Sequence, residues 1–174
     1  MRTPATQGMQ ATQGMQATHG ASLRERLQGF HASYIRCIDT DALERWPDFF
    51  AEQCHYSVTT AENRREGLAA GLIWANTRAM LLDRVTALRH ANIYERQTYR
   101  HILGLPHILS QDDEQAECET PFLVARIVQD DATSLFATGV YHDVFDLRPE
   151  PMLLRSRIVV CDSARIDTLL AVPL

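Results

Sequence analysis

Two histidines lie six residues apart in the apolar stretch YRHILGLPHI, residues 99–108. An even separation would place His101 and His107 on one face of a straight strand, where two imidazoles can bind a metal or move a proton. Pro106 lies between them and cannot donate a sheet hydrogen bond, so it indicates a bulge or a sheet edge. The stretch holds no carboxylate to complete a two-histidine, one-carboxylate iron site. We therefore predict that the pair is packed in the fold or lies at a subunit contact.

A second set of titratable residues falls on predicted elements that would line the mouth of a cone-shaped domain. A buried Asp–His pair among them would supply the general base of a dehydratase, an isomerase or a cyclase. The opposing interpretation is structural, because acidic residues at helix ends are usually caps and strand tyrosines usually belong to the core. A free-standing enzyme therefore stays open as an alternative. The residues concerned are Asp39, Asp41, His55, Tyr56, His101 and Tyr141.

The remaining metal-binding patterns are incomplete. Glu52 and His55 have the i, i+3 spacing of di-iron helix bundles, but such sites need two copies and the sequence has one. The four cysteines show neither CxxC spacing nor the paired Cys/His pattern of a Rieske cluster. Such scattered cysteines are typical of reduced cytoplasmic thiols. These patterns predict no metal-binding or cofactor-binding residue in this chain, and the catalytic set is predicted to be empty if the chain is a structural subunit.

Composition excludes several further classes. The 17 cationic residues are all arginine, so the chain lacks the amine needed for a Schiff base, a pyridoxal-phosphate anchor or a P-loop. The net charge of −5 disfavours nucleic acid and anionic membranes as partners. No apolar run is long enough to span a membrane, and the N-terminus has no hydrophobic signal core, so a cytoplasmic location is expected.

Arginines on the predicted strands are candidates for subunit contacts, because planar guanidinium groups suit fixed ion pairs. Arg155 and Arg157 alternate on one strand face, which indicates either a solvated face or a subunit interface. The predicted contact residues are Arg100, His101, His107, Arg155 and Arg157.

The first half of the sequence predicts a tail followed by helices. Residues 1–21 carry the six-residue repeat ATQGMQ, whose composition is typical of a disordered tail, and residues 22–174 form one domain. Ser22 and Glu25 form a capping box for a helix that ends near Asp39. The other elements predicted here are a short helix stopped by Pro47 near Trp46, a strand at 54–59, a loop leading to a short strand within 67–75, and a helix from Asn76 or Thr77 to about His90 with Met80, Leu81, Val85 and Leu88 inward.

Strands dominate the second half. They are predicted at 99–110, 115–129, 133–147, 151–162 and 166–171, with turns at 129–133 and 148–151. Helices followed by a meander of long strands define an α+β domain, in which the N-terminal helices pack on a curved, mainly antiparallel sheet. Such a sheet wraps round the first helix as a cone. Trp46 and Trp74 are predicted to be core residues.

Five stretches that keep their order along nearly the whole folded region carry a family resemblance. They are DTDALERWPDFF, GLAAGLIWA, MLLDRVTALRHANIYE, YRHILGLPHI and CDSARIDTLLAVPL. On these stretches the sequence from about Leu27 to Leu174 resembles the small (β) subunits of aromatic-ring-hydroxylating dioxygenases. Within that family it is most similar to members acting on carboxylated arenes, with the terephthalate type first and the salicylate and anthranilate types next.

The resemblance implies a nuclear transport factor 2-like (cystatin-like) cone and assembly with a large α subunit, commonly as an α3β3 hexamer. In that family the α subunit carries a Rieske [2Fe–2S] cluster and a mononuclear Fe(II), and a reductase supplies electrons from NADH or NADPH. The β subunit generally carries no cofactor and supports the assembly. The resemblance thus implies a non-catalytic structural subunit of an oxidoreductase that cis-dihydroxylates a carboxylated arene in aromatic catabolism.

Overall fold

The computed structural model describes residues 21–68, 71–90, 97–128, 132–163 and 172–174. Its helices are α1 (Leu23–Asp39), α2 (Ala61–Arg65) and α3 (Arg78–His90), with a 3₁₀ helix at Leu43–Phe49. Its strands are β1 (Phe50–Thr60), β2 (Ile73–Thr77), β3 (Gln97–Leu103), β4 (His107–Gln111), β5 (Gln115–Val128), β6 (Ser134–Asp146) and β7 (Leu153–Cys161). None of the helices in these ranges is long and apolar enough to cross a membrane.

Helix α1 begins and ends where the sequence predicts. The Ser22 hydroxyl accepts from the Glu25 amide at 3.3 Å, and the Glu25 carboxylate accepts from the Ser22 amide at 2.7 Å, which completes the capping box. Residues that recur at helical spacing form the buried stripe that faces the sheet. They are Leu27, Phe30, Tyr34 and Ile38, with Leu23 partly buried beside them.

The later helices follow the prediction in part. The 3₁₀ helix continues past Pro47 to Phe49. Thr77 caps α3, because its hydroxyl accepts from the Met80 amide at 3.3 Å. Leu81, Val85 and Leu88 are buried as predicted, but the prediction that Met80 points inward was wrong, since it lies exposed in the first turn. Helix α2 was not predicted.

The seven strands form one sheet in the order β2–β1–β7–β6–β5–β3, with β4 also paired to β5. Every pair is antiparallel except β1–β7, which is parallel. The predicted strands 115–129, 133–147 and 151–162 are confirmed to within two residues, and the short strand predicted within 67–75 is found as β2, which continues two residues further to Thr77. The single strand predicted at 99–110 divides at Pro106 into β3 and β4, because proline cannot continue the hydrogen-bond ladder.

The α+β class is confirmed, and the long helices α1 and α3 pack their buried stripes against the inner face of the sheet. Along β5 the buried residues Cys118, Thr120 and Phe122 alternate with residues that face outward, as expected for a strand with one covered face. Trp46 is fully buried as predicted. The prediction for Trp74 was wrong: its side chain is 54% exposed, because β2 is an edge strand. Most of the predicted tail (1–20), part of the turn (129–131) and the strand at 166–171 lie outside the described residues.

Candidate functional site

A fully buried arginine occupies the interior of the cone. Arg157 lies directly opposite Asp143 in the β6–β7 register, and two hydrogen bonds of 2.8 and 2.7 Å join its guanidinium to both carboxylate oxygens. The Arg157 Cζ atom also lies 4.1 Å from the ring centroid of Tyr34 and 4.3 Å from that of Tyr141. The cation is therefore paired with one carboxylate and held between two aromatic faces.

His31 completes this buried cluster from helix α1. Arg157 donates from Nη2 to His31 Nδ1 at 3.2 Å, so the imidazole proton belongs on Nε2, which lies 3.2 Å from the Thr120 hydroxyl oxygen. Burial lowers the pKa of His31 from 6.5 to about 4, and the Arg157 charge acts in the same direction against a smaller opposing effect of Asp143. His31 is consequently neutral at pH 7.

Three buried residues of metal-binding type meet at this point, with ligand atoms of His31, Cys118 and Asp143 within 4.8 Å of one another. They do not fit a divalent cation. Arg157 already uses both oxygens of Asp143 and the Nδ1 lone pair of His31. Burial raises the pKa of Cys118 to about 12, which keeps its thiol protonated. A metal ion here would also face a fixed guanidinium charge.

Aromatic side chains and Leu174 fill the space beside the cluster. Trp46 donates from Nε1 to the Tyr34 hydroxyl at 2.8 Å. The hydroxyls of Tyr34 and Tyr56 donate to the Leu174 carbonyl at 3.2 and 3.3 Å, and the Leu174 amide donates to the Tyr56 hydroxyl at 3.2 Å. All of these residues are fully buried. The region where a cone-fold enzyme would hold its substrate is occupied by packed, hydrogen-bonded side chains.

The sequence also predicted an Asp–His pair, and Asp39 and His101 form one. His101 Nδ1 lies 2.6 Å from Asp39 Oδ1, and the His101 amide donates to the same carboxylate at 3.1 Å. The imidazole is completely buried, and its Nε2 atom has no hydrogen-bond partner within the described residues. A neighbouring cavity of about 370 Å³ is lined by Asp39 and Tyr99 but not by His101. The pair joins the end of α1 to β3, and its histidine is closed to solvent, while Arg100 approaches the Asp39 carboxylate from the surface at 3.8 Å.

The other members of the predicted acid/base set lie elsewhere. Asp41 pairs with Arg89 at 2.9 Å, and His55 contacts Asn76 at 3.0 Å on the outer side of the sheet. The remaining two, Tyr56 and Tyr141, belong to the filled interior. The structure thus assembles one pair from the set and no larger constellation within the residues that it describes.

The outer face of the sheet near β3 carries exposed apolar residues. The register places Arg100, Ala125 and Leu135 in one cross-strand row, next to a row with Ile102 and Leu123. Ile102 is 60% exposed and Leu135 is 65% exposed. We call these five residues the outer patch. Large apolar side chains grouped on a surface are typical of protein–protein contacts.

The five predicted contact residues fall into two groups. Arg100 belongs to the outer patch, His107 is exposed on β4, and Arg155 is partly buried with its guanidinium 3.3 Å from Asp146. The prediction was wrong for His101 and Arg157, whose side chains point inward and are fully buried. Both sit on the covered face of their strands, where a charged or polar group needs an internal partner.

His101 and His107 therefore do not share a face. The strand break at Pro106 separates them, with His101 in the interior and His107 on the surface opposite Glu119. Sequence reasoning missed Asp143, His31 and the apolar members of the outer patch. A signal for Asp143 was present, because it lies between Tyr141 and Phe145 at the same alternation as these core residues.

The fold and the filled interior define the class: an α+β cone of the nuclear transport factor 2-like type. The family model described as "Ring hydroxylating beta subunit" matches residues 35–168. The chain belongs to this family, the β subunits of ring-hydroxylating dioxygenases, in which the catalytic centre is on the α subunit.

Relatives from three bacteria agree with this assignment. A β subunit of the terminal oxygenase component of terephthalate 1,2-dioxygenase from Comamonas sp. is 52% identical over 149 residues, covering 86% of this chain and 97% of that protein. The small subunit of anthranilate 1,2-dioxygenase from Burkholderia cepacia is 37% identical, covering 81% and 88%. The crystal structure of a dioxygenase β subunit from Novosphingobium aromaticivorans is similar with a TM-score of 0.81 and 36% identity, covering 87% and 96%.

Proposed function

We propose that this chain is the structural small subunit of a terephthalate-type dioxygenase, assembled with its α subunit as an α3β3 hexamer in the cytoplasm. The α subunit would carry the Rieske [2Fe–2S] cluster and the mononuclear Fe(II), and a reductase would deliver electrons from NADH or NADPH. The complex would add both atoms of O₂ to a carboxylated arene and give a cis-dihydrodiol. Salicylate and anthranilate are the alternative substrate types.

The outer patch is the observation that carries this proposal. A chain whose interior is filled has no room for a substrate there, yet it exposes Ile102 and Leu135 on the outer face of its sheet. Burying such residues against a partner is favourable by about 25 cal/mol per Å² of apolar surface. Arg100 in the same row lies 3.8 Å from Asp39 of its own chain, but its side chain is 71% exposed, so its guanidinium can also pair with a partner's carboxylate.

Co-expression with the α subunit of a terephthalate-type dioxygenase tests the proposal. We expect the wild-type pair to purify as one iron-bearing complex that oxidises terephthalate, while this chain alone contains no iron. The variant Ile102→Glu combined with Leu135→Glu should lose at least tenfold in complex yield at an unchanged unfolding temperature. Leu82→Glu, which changes an exposed leucine on α3 outside the patch, is the control and should assemble normally. Full assembly of the patch variant would contradict the proposed contact.

General acid/base catalysis at Asp39 and His101 is a second candidate, favoured by their 2.6 Å contact. The closed position of His101 argues for a structural role instead. We therefore expect Asp39→Asn to lower the unfolding temperature and to leave turnover per assembled complex unchanged. Lost turnover in complexes of normal mass and iron content would favour the catalytic role.

A further inference from the structure

A cavity of about 410 Å³, which we call the basal cavity, has neither Arg157 nor Asp143 in its lining. Its walls come from α1, the 3₁₀ helix and the turn between β6 and β7. This volume falls within the range of small-molecule sites in proteins. The lining residues used below are Arg26, Gly29, Phe30, Arg45, Phe49 and Met152, with Asp48 and Glu150 at the edge.

The floor of this basal cavity is aromatic. The rings of Phe30 and Phe49 meet edge to face, with centroids 5.4 Å apart, and the buried Met152 lies beside them. Aromatic edges and a thioether sulfur are favourable neighbours for a flat aromatic ring. The floor therefore suits a single aromatic ring better than a polar ligand.

Gly29 gives the cavity its depth. It is an interior residue of α1, where glycine weakens a helix relative to alanine. Neither close packing nor an unusual backbone angle requires it, because a Cβ atom placed there meets nothing within 4 Å. A side chain at this position would project into the open space that Gly29 lines. A larger side chain at position 29 is therefore expected to reduce the space that a ligand could occupy.

Two arginines stand at the rim. Arg26 contacts Glu150 at 3.3 Å, but the Glu150 side chain is 83% exposed, so the pair is weak and Arg26 can exchange its partner. Arg45 makes no side-chain hydrogen bond or ion pair with the rest of the described chain. Guanidinium groups bind carboxylates through paired hydrogen bonds. Asp48 and Glu150 keep the rim near neutral, which disfavours polyanions such as nucleotides.

We propose that the basal cavity binds a mononuclear aromatic carboxylate, with the ring on Phe30 and Phe49 and the carboxylate at Arg45. This gives the small subunit a ligand site built from its own residues. The choice of terephthalate as a probe rests on the proposed function. The argument for an aromatic carboxylate rests only on the residues that line the cavity.

Titration calorimetry of the full chain with benzoate and with terephthalate tests the site. We expect both to bind, and cyclohexanecarboxylate to bind at least fivefold more weakly because it lacks the flat ring. Arg45→Gln should weaken binding about tenfold or more, as expected for the loss of a charge-assisted hydrogen bond. Arg65→Gln, an exposed arginine of α2 outside the cavity, is the matched control and should bind like the wild type.

Gly29→Leu fills the cavity with a good helix former and should abolish binding without lowering the unfolding temperature. Absence of binding by both aromatic acids, or unchanged binding in Arg45→Gln and Gly29→Leu, would overturn the proposal. Equal binding of cyclohexanecarboxylate would overturn the aromatic class. Assembly of Gly29→Leu with the α subunit is measured in parallel. If the ligand proposal alone is wrong, no ligand binds but the chain still assembles, whereas if the small-subunit proposal is wrong, wild type and variant both fail to assemble.

Discussion

Arg157 is a charged side chain that is completely buried. Burial acts to lower the pKa of Arg157, but Asp143 and its two hydrogen bonds outweigh this effect and raise the pKa. A buried ion pair of this kind adds little net stability compared with apolar residues, yet removing one partner leaves the other charge unpaired. The two tyrosine faces and His31 further restrict the guanidinium to one position.

We expect Arg157→Met to destabilise the fold by about 3–5 kcal/mol, because Asp143 would stay buried without its cation. The measurement is urea unfolding at pH 7. The double variant Asp143→Leu, Arg157→Met leaves no buried charge and should recover part of the loss. Arg155→Met, on the same strand but partly exposed, should lose far less. A loss below about 1 kcal/mol in Arg157→Met would show that the pair is not essential to the interior.

His31 makes the stability depend on pH. Its pKa is about 4 in the fold and near 6.5 in the unfolded chain, so between these values the unfolded chain binds the extra proton. The contribution is fully present above pH 6.5 and is lost as the pH falls to 4, by about 3 kcal/mol in total. Unfolding of the wild type and of His31→Gln from pH 7 to pH 4.5 checks this, since glutamine does not titrate. Parallel curves for the two proteins would contradict it.

At the scale of elements, the sequence predicts a helix or strand correctly where neighbouring residues alone determine it. The capping box at Ser22 and the apolar stripe fixed α1, and the alternation of strand residues fixed β5, β6 and β7. The exposure of Trp74 and the pairing of Arg157 with Asp143 depend on strand order and register, which arise from contacts distant in sequence. The outer patch could not be predicted from the sequence, because its residues come together only through the pairing of β3, β5 and β6.

Substitution of glycine by alanine is expected to change the free energy of unfolding in opposite directions at Gly29 and Gly139. A Cβ atom at Gly139 on β6 would overlap the Val160 carbonyl oxygen and approach the Phe122 ring, while one at Gly29 meets nothing. Gly139→Ala should therefore destabilise the fold by about 2–3 kcal/mol, and Gly29→Ala should stabilise it by about 0.5–1 kcal/mol. Thermal unfolding of both variants under one condition gives the comparison. The prediction fails if the two shifts have the same sign.

At the scale of the whole molecule, the apolar outer face should make the isolated chain self-associate. Purified without the α subunit, the wild type is expected to gain mass as its concentration rises, since contact between copies buries Ile102 and Leu135. The patch variant with glutamate at both positions should stay closer to monomeric mass. Sedimentation velocity over a hundredfold concentration range measures this. A wild type that remains monomeric throughout would contradict the prediction.

The parallel pairing of β1 with β7 also has a consequence for biosynthesis. The parallel partner of residues 50–60 lies at residues 154–161, about 100 residues further along the chain. At roughly 5–20 residues per second, a ribosome needs about 5–20 s to supply that partner. During this interval β1 can pair only with β2, while β5, β6 and β7 pair with sequence neighbours as they emerge. The pairing of β1 with β7 is therefore a late step of folding during synthesis, because it requires β7 to leave the exit tunnel of the ribosome.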